Sequence, residues 1–170
     1  MLISEQELWH VLIVGRSQSY VRKSAAYNPY RASSPYDWHA ELHVGGWRFT
    51  DSYRGFNPYS GVEYVYPQGG IVPIWSCDYV GYVLEDAPVS ADDVYAFLRE
   101  GRAEHLRRCE GQLNARYTHQ REAWRYETTF RGGATALLQI EEVRYQERVV
   151  ARQVAAGRLR EGALLRQAAV

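Results

Sequence analysis

Cysteine, methionine and lysine are scarce in this sequence, and it has no long apolar run. Its two cysteines, Cys77 and Cys109, are too few for a disulfide framework, and their spacing matches no cysteine-based metal site. The apolar stretch at 8–14 is too short to cross a bilayer. The first residues lack the basic start and the long apolar run of a signal peptide. We therefore expect a cytoplasmic protein with reduced thiols and no membrane association.

Net charge is also lacking, because 20 Lys and Arg residues balance 20 Asp and Glu residues. A neutral chain argues against a protein that grips nucleic acid or an anionic membrane directly. The chain has 170 residues, of which 46% are hydrophobic and 24% are charged, as in ordinary globular proteins. A single domain spanning residues 1–170 is the expectation at this length.

Capping patterns predict two main helices. Ser4 followed by Glu7 forms a capping box, and apolar residues continue at helical spacing as far as Gly15. Ser90 is a suitable N-cap for a second helix, because the acidic Asp92 and Asp93 would then lie in its first turn.

Between these helices, alternating residues and short turns predict antiparallel strands. Residues 37–44 alternate between polar and apolar, and Gly45-Gly46 fits a two-residue turn into a second strand at 47–53. Two more strands are predicted at 62–66 and 71–79.

The sequence repeats itself. Residues 47–55 read WRFTDSYRG, and residues 124–132 read WRYETTFRG, which is a shift of 77. A second block, VEYV from residue 62, recurs as IEEV after a shift of 78. Nearly equal shifts indicate two copies of a helix-plus-strands unit, at about 4–83 and 90–159.

The repeat predicts an α+β fold: a pseudo-duplicated antiparallel β-sheet meander, curved or two-layered, with two main helices packed on it. Each unit is too small to bury its own sheet face, so both copies should share one core. Trp75 and Tyr79 have no bulky counterparts in the second copy. The first copy is therefore the better candidate to carry a site.

Three short motifs stand out in the first copy: Asp51-Ser52-Tyr53-Arg54-Gly55, then Gly61-Val62-Glu63, then WSCDYVG at 75–81. This combination resembles an uncharacterised bacterial domain family of unknown function, over most of residues 1–157. The chain departs from that pattern at Cys77-Asp78, where the resemblance implies Met-Asn. In some members of the family that the chain resembles, this region follows an Xre-type helix-turn-helix DNA-binding domain. These residues contain no such domain. The resemblance supports the fold and the repeat and implies no reaction.

The predicted strand at 37–44 offers candidate metal ligands. His39, Glu41 and His43 lie on one face of it, where alternate residues could share a metal ion. The same alternation is typical of the solvated face of a half-buried strand.

Two further groups could take part in catalysis. Glu63 and Glu141 hold the same repeat position, and each could act as a general base or pair with the repeated arginines Arg54 and Arg131. Cys77 could be a nucleophile, although no histidine stands at a recognisable spacing and a strand cysteine is usually packing.

Aromatic residues are abundant, with 14 Tyr, 5 Trp and 4 Phe. They could fill the core, or they could line a cleft in which a ligand stacks. The leading hypothesis is a non-catalytic module that binds or senses a small molecule in an aromatic cleft. The candidate ligand-binding residues are Tyr27, Tyr30, Asp51, Tyr53, Arg54, Glu63, Trp75 and Tyr79.

Two alternatives stay open. One is a protein-interaction or oligomerisation module, such as a homodimer, that uses the Tyr-rich loop 24–36. The other is a hydrolase or metal-dependent enzyme that uses His39, Glu41 and His43, or Glu63. The sequence has no P-loop, dinucleotide fingerprint or nucleophile elbow, so we expect no cofactor and assign no catalytic residue.

Overall fold

The computed structural model describes residues 1–113 and 115–165. Its two long helices are α1 (Glu5–Arg16) and α2 (Ala91–Arg107). α1 runs on into a short π-helical turn over Ser17–Val21. Within the described residues, neither of these helices is long and apolar enough to cross a membrane.

Both predicted N-caps are confirmed. The Ser4 hydroxyl accepts a hydrogen bond from the Glu7 amide at 3.1 Å, and the Glu7 carboxylate accepts one in return from the Ser4 amide at 3.0 Å. The Ser90 hydroxyl accepts a hydrogen bond from the Asp93 amide at 3.1 Å. These contacts satisfy amides that have no partner inside the helix.

The remaining elements of the described residues are nine strands. They are β1 (Arg31–Ala32), β2 (Trp38–Val44), β3 (Trp47–Gly55), β4 (Tyr59–Pro67), β5 (Trp75–Val83), β6 (Arg116–Arg121), β7 (Trp124–Gly133), β8 (Ala136–Tyr145) and β9 (Arg148–Leu159). β4 begins earlier than the strand predicted at 62–66, and the Tyr-rich loop 24–36 contains β1. β5 begins later than the strand predicted at 71–79, because Pro73 has no amide to donate and Ile71 and Val72 are exposed.

The strands form a single antiparallel sheet in the order β1-β2-β3-β4-β5-β9-β8-β7-β6, which does not close on itself. The first half of the chain thus supplies one side of the sheet and the second half supplies the other. The two sides meet where β5 pairs with β9, with Cys77 opposite Gly157. The predicted α+β class and antiparallel meander are confirmed; the duplication and a two-layered sheet stay predictions.

Both helices pack on the same face of this sheet. Gly15 of α1 lies against the ring of Phe49 in β3, and Gly101 of α2 lies against the ring of Tyr126 in β7. A Cβ atom at either glycine would lie 2.5 Å from the Cγ atom of that ring. Glycine at these two positions therefore allows each helix to approach the sheet closely.

Two apolar clusters hold the helices in place. The cluster around α1 includes Leu8, Leu12 and Trp75, and the cluster around α2 includes Val94 and Phe97. The opposite face of the central strands carries exposed apolar side chains, namely Val80, Tyr82, Leu138, Ile140 and Val154. The sheet therefore has one covered face and one open face.

Candidate functional site

A cavity of about 170 Å³ lies between the two helices and the covered face of the sheet. α1, the π-helical turn and α2 supply one wall, and β3, β4, β5, β7, β8 and β9 supply the other. Both halves of the chain therefore contribute to a single site.

The first polar group in the cavity is an ion pair between α1 and β4. Arg16 follows Leu8 and Leu12 at four-residue spacing, so it lies on the buried stripe of α1. Its Nε atom donates to Glu63 Oε1 at 3.0 Å and its Nη2 atom to Glu63 Oε2 at 2.7 Å. Its Nη1 atom donates to Gln139 Oε1 at 3.1 Å. All three nitrogen atoms of this guanidinium therefore donate to side chains of the sheet.

A second ion pair repeats the arrangement between α2 and β8. Arg102 donates from Nε to Glu141 Oε1 at 2.9 Å and from Nη2 to Glu141 Oε2 at 2.6 Å. The Tyr126 hydroxyl and the Gln153 amide also donate to this carboxylate, at 2.5 and 2.6 Å. Burial alone would raise the pKa of Glu141, but the charge and hydrogen bonds of Arg102 outweigh burial and lower it. Glu141 is thus held as a carboxylate.

A third acid, Asp51 in β3, has tyrosines as partners. The Tyr30 hydroxyl donates to Asp51 Oδ2, and the Tyr79 hydroxyl donates to Asp51 Oδ1 at 2.6 Å. Burial, together with the nearby charge of Glu63, raises the pKa of Asp51 to about 6. This carboxyl group therefore titrates well above the ordinary range of an aspartate.

Two cations at the cavity lack an ion-pair partner among residues 1–113 and 115–165: Lys23 and Arg99. Lys23 Nζ donates to the Tyr53 hydroxyl at 3.3 Å, and Arg99 Nη1 donates to the Lys23 carbonyl oxygen at 3.3 Å. Arg99 Nε is buried and has no hydrogen-bond partner within the described chain. Burial and the charge of Arg99 lower the pKa of Lys23. Positive charge is therefore in excess at this end of the cavity.

Tyrosine rings form much of the cavity wall beside these cations. Tyr59 and Tyr95 meet edge to face with ring centres 5.6 Å apart. The Arg99 and Arg102 guanidinium groups lie 5.2 and 5.1 Å from the centre of the Tyr20 ring. Aromatic faces beside cations suit a ligand that has both a flat apolar part and a polar group.

His105 of α2 also lines the cavity and is 2% exposed. Its ring stacks on Tyr117 at 4.9 Å, and its Nε2 atom has no hydrogen-bond partner in the part of the chain that the structure describes. Burial lowers the pKa of His105 to about 4. The imidazole is therefore neutral at physiological pH.

The structure brings together five of the eight residues that the sequence predicted for ligand binding. Tyr30, Asp51, Tyr53, Glu63 and Tyr79 all line the cavity. Tyr30, Asp51 and Tyr79 are joined, because both tyrosine hydroxyls donate hydrogen bonds to the Asp51 carboxyl group.

The other three predicted residues lie elsewhere. Tyr27 is exposed and sits under the Arg22 guanidinium at 4.6 Å. Trp75 is buried in the core, where its Nε1 atom donates to the Ala134 carbonyl oxygen at 3.0 Å. Arg54 is exposed, and its Nε atom donates to the Ser60 hydroxyl in the next strand at 3.4 Å.

The predicted pairing of Glu63 with Arg54 and of Glu141 with Arg131 is wrong. Residues that alternate along a strand point to opposite faces, and Arg54 stands three positions beyond Asp51, whose side chain faces the cavity. Arg54 therefore points away from the cavity, and helix arginines take its place as partners of the buried glutamates.

The three candidate metal ligands, His39, Glu41 and His43, lie in β2. His39 Nδ1 lies 2.8 Å from the Ser52 hydroxyl, and Glu41 accepts a hydrogen bond from Arg48 at 3.1 Å, while His43 is exposed. Among residues 1–113 and 115–165, no group of three or more His, Cys, Asp or Glu side chains is placed to hold a metal ion.

The sequence reasoning missed the cationic side of the site: Arg16, Lys23, Arg99 and Arg102. One signal could have found two of these residues. A Gly-Arg pair occurs as the eleventh and twelfth residues of both α1 and α2, at Gly15-Arg16 and Gly101-Arg102. Arginine in line with the apolar stripe of each helix indicates a buried partner.

A family model described as a domain of unknown function, DUF5680, matches residues 51–159, from β3 to the end of β9. No curated protein and no solved structure matches the chain.

Proposed function

Because the chain belongs to the DUF5680 family, whose function is unknown, we propose from its cavity that it is a non-catalytic module that binds or senses a small organic molecule. The observation that carries this proposal is the cavity between the helices and the sheet, with its tyrosine walls and two cations that have no ion-pair partner within the described residues. Concave, mostly apolar sites with a few convergent polar groups are where small ligands bind.

The size of the cavity sets the size of the ligand. At about 170 Å³ it is close to the cavities of roughly 150 Å³ that accept benzene in engineered proteins. A molecule with one ring and small polar substituents fits this space. Larger ligands would have to extend past the cavity mouth.

The polar groups of the site favour binding over catalysis. Glu63 and Glu141 are each engaged by a bidentate arginine, so neither is available as a general base. Burial raises the pKa of Cys77 to about 12, which keeps the thiol protonated and unsuited to nucleophilic attack. The hydrolase hypothesis therefore has less support than the binding hypothesis.

The interaction module has less support as well. In the Tyr-rich loop 24–36, the buried Tyr30 donates its hydroxyl hydrogen bond to Asp51 inside the molecule, and Tyr27 is the exposed tyrosine. The proposal includes the predicted cytoplasmic location and leaves the homodimer as a prediction.

The proposal also includes the duplication. In each half of the chain a helix glycine packs on a strand aromatic ring, and the arginine that follows it pairs with a strand glutamate. Asp51 faces Glu63 across β3 and β4, while Thr128 faces Glu141 across β7 and β8. This supports a repeat in which one acid was exchanged for a hydroxyl, so that the two halves now present different chemistry to one cavity.

A pair of neighbouring alanines in β9 allows a matched test. Ala155 lines the cavity, and Ala156 is exposed on the opposite face. Ala155→Met should fill the cavity and abolish the gain in thermal stability that single-ring compounds give the wild type, whereas Ala156→Met should retain that gain. Thermal shift against a panel of single-ring compounds, with native mass spectrometry of the fresh protein, measures this. Wild-type protein that carries no ligand and responds to no compound would refute the proposal.

A further inference from the structure

We propose that the molecule bound in this cavity is an organic anion, and that Lys23 and Arg99 hold its charged group while the neighbouring tyrosines hold its apolar part. This inference rests on the proposed function and adds the chemical class of the ligand. Its basis is the charge, the hydrogen bonding and the aromatic surroundings of these two cations.

The charges of the cavity do not balance. Four cationic side chains line it, Arg16, Lys23, Arg99 and Arg102, and three acidic ones, Asp51, Glu63 and Glu141. Two of the arginines are matched to the two glutamates in bidentate pairs. The third acid is tied up by two tyrosine hydroxyls rather than by a cation. Within the described residues, Lys23 and Arg99 are left without a counter-charge.

These two cations are also close to each other and poorly satisfied. Arg99 donates to the backbone carbonyl oxygen of Lys23, and the charge of Arg99 lowers the pKa of Lys23, so the two charges lie near each other. Arg99 Nε is buried without an acceptor in the described part of the chain. Buried donors in native structures almost always have partners. A carboxylate or phosphate oxygen would supply the missing acceptor and would remove the repulsion between the two charges.

Aromatic rings surround the cluster. Lys23 Nζ lies 5.7, 5.6 and 6.0 Å from the ring centres of Tyr30, Trp38 and Tyr53. These rings fix the ammonium group at the cavity without neutralising it. The ligand that fits is therefore one whose anionic group reaches the cations while a flat apolar part lies against the tyrosine wall. Aromatic carboxylates and phosphate esters share this chemistry.

Isosteric probes separate charge from shape. Benzoate and benzamide have the same size and differ in charge, and phenyl phosphate tests the other anionic group. We expect benzoate or phenyl phosphate to bind at least about tenfold more tightly than benzamide in titrations followed by calorimetry or by amide NMR. Inorganic phosphate, which lacks the ring, should bind more weakly than phenyl phosphate.

Variants assign the preference to the two cations. Lys23→Gln combined with Arg99→Gln should remove the preference for anions, so that benzoate and phenyl phosphate bind no more tightly than benzamide. Arg22→Gln, at the exposed neighbour over Tyr27, is the matched control and should change nothing. The charge-preserving pair Lys23→Arg and Arg99→Lys should keep the preference. Far-ultraviolet circular dichroism and the unfolding temperature verify that each variant is folded.

The outcomes distinguish this inference from the proposed function. If benzamide binds as tightly as the anions, or if the double Gln variant keeps the preference, the anion assignment is wrong and the binding module stands. If inorganic phosphate matches phenyl phosphate, the role of the tyrosine wall is wrong. If none of the probes binds, both the proposed function and this inference fail.

Discussion

Asp51 and His105 are buried titratable side chains of the same cavity. The pKa of Asp51 is raised and the pKa of His105 is lowered, so the two shifts change the stability of the fold with pH in opposite directions. Burial first, and then Glu63, raises the pKa of Asp51 to about 6, so the folded state holds this proton more tightly than the unfolded chain does. Burial lowers the pKa of His105 to about 4, so the folded state holds that proton less tightly. Between about pH 4 and 6.5 the two contributions oppose each other, which should make the wild-type stability profile shallow.

Replacing Asp51 by Asn should expose this opposition. The stabilisation from the raised pKa of Asp51 is fully present below the unfolded value of about 3.9 and is lost as the pH rises through about 6. A shift of this size corresponds to about 3 kcal/mol. Asn stays neutral throughout, so the free energy of unfolding of Asp51→Asn should rise relative to wild type by up to that amount between pH 4 and 7. Urea denaturation at a series of pH values measures it.

His105→Gln serves as the counterpart with the opposite sign. The contribution of the neutral imidazole is present above about pH 6.5 and is lost as the pH falls through about 4. Without it, the contribution of Asp51 is no longer opposed, so the free energy of unfolding of His105→Gln should rise relative to wild type as the pH falls from 6.5 to 4. Profiles of Asp51→Asn and wild type that run parallel from pH 4 to 7 would show that Asp51 is not titrating in this range.

At the scale of the elements, the two helices are seated on the sheet in the same way. Gly15 and Gly101 let α1 and α2 approach the rings of Phe49 and Tyr126, and that close approach carries the next residue, an arginine, to its glutamate. Packing and ion pairing are therefore coupled within each helix. A change that lifts the helix should weaken both.

Gly15→Ala should destabilise the protein although alanine favours helix. The new Cβ would lie 2.5 Å from Phe49 Cγ, and overpacking of this kind typically destabilises by about 1–3 kcal/mol. Gly46→Ala is the control, since nothing lies within 4 Å of a Cβ there. Chemical denaturation of both variants measures the difference. Combining Gly15→Ala with Phe49→Leu, which shortens the opposing ring, should cost less than the sum of the single changes, and simple additivity would contradict the packing explanation.

The elements built from local patterns were predictable. Ser4 and Ser90 cap the helices because the capping contact spans three residues, and the turn at Gly45-Gly46 joins β2 to β3 because the alternation on either side is unbroken. The start of β5 was misplaced because Ile71 and Val72 continue the apolar run without being buried. Pro73 marks the break, but the apolar composition of such a run does not by itself show which part the sheet will pair.

The site was predictable only on its acidic and aromatic side. Asp51 and Glu63 were visible in the strand motifs, and β3 and β4 pair them directly. Arg16 was not predicted as a site residue although it continues the apolar stripe of α1, because an arginine near the end of a helix is ordinarily solvated and its partner is 47 positions away. Lys23 and Arg99 are brought together only when α1 and α2 pack on one face of the sheet. Contacts made by long-range packing of this kind have no characteristic spacing in the sequence.

At the scale of the whole molecule, the two halves are joined along the pairing of β5 with β9. Trp75 of the first half donates to Ala134 of the second, and Gly157 of the second half lies against the Trp75 ring. The chain start is tied to the other half as well, because the Ile3 amide donates to the Ala163 carbonyl oxygen at 2.9 Å. The core around α1 therefore contains residues from both halves, and so does the cavity.

Separating the halves should therefore abolish folding of each. Fragments 1–89 and 90–170, expressed alone, should unfold without a cooperative transition in circular dichroism, because each exposes a bare central strand and half of a shared core. Mixed together, they should regain a cooperative transition. The full chain with a protease site inserted at the exposed Pro88, cut after folding, is the control and should keep its transition, since only the connection is lost. A sharp transition in either isolated fragment would mean that the unit is an independent domain, and the cavity would then be an interface between two domains.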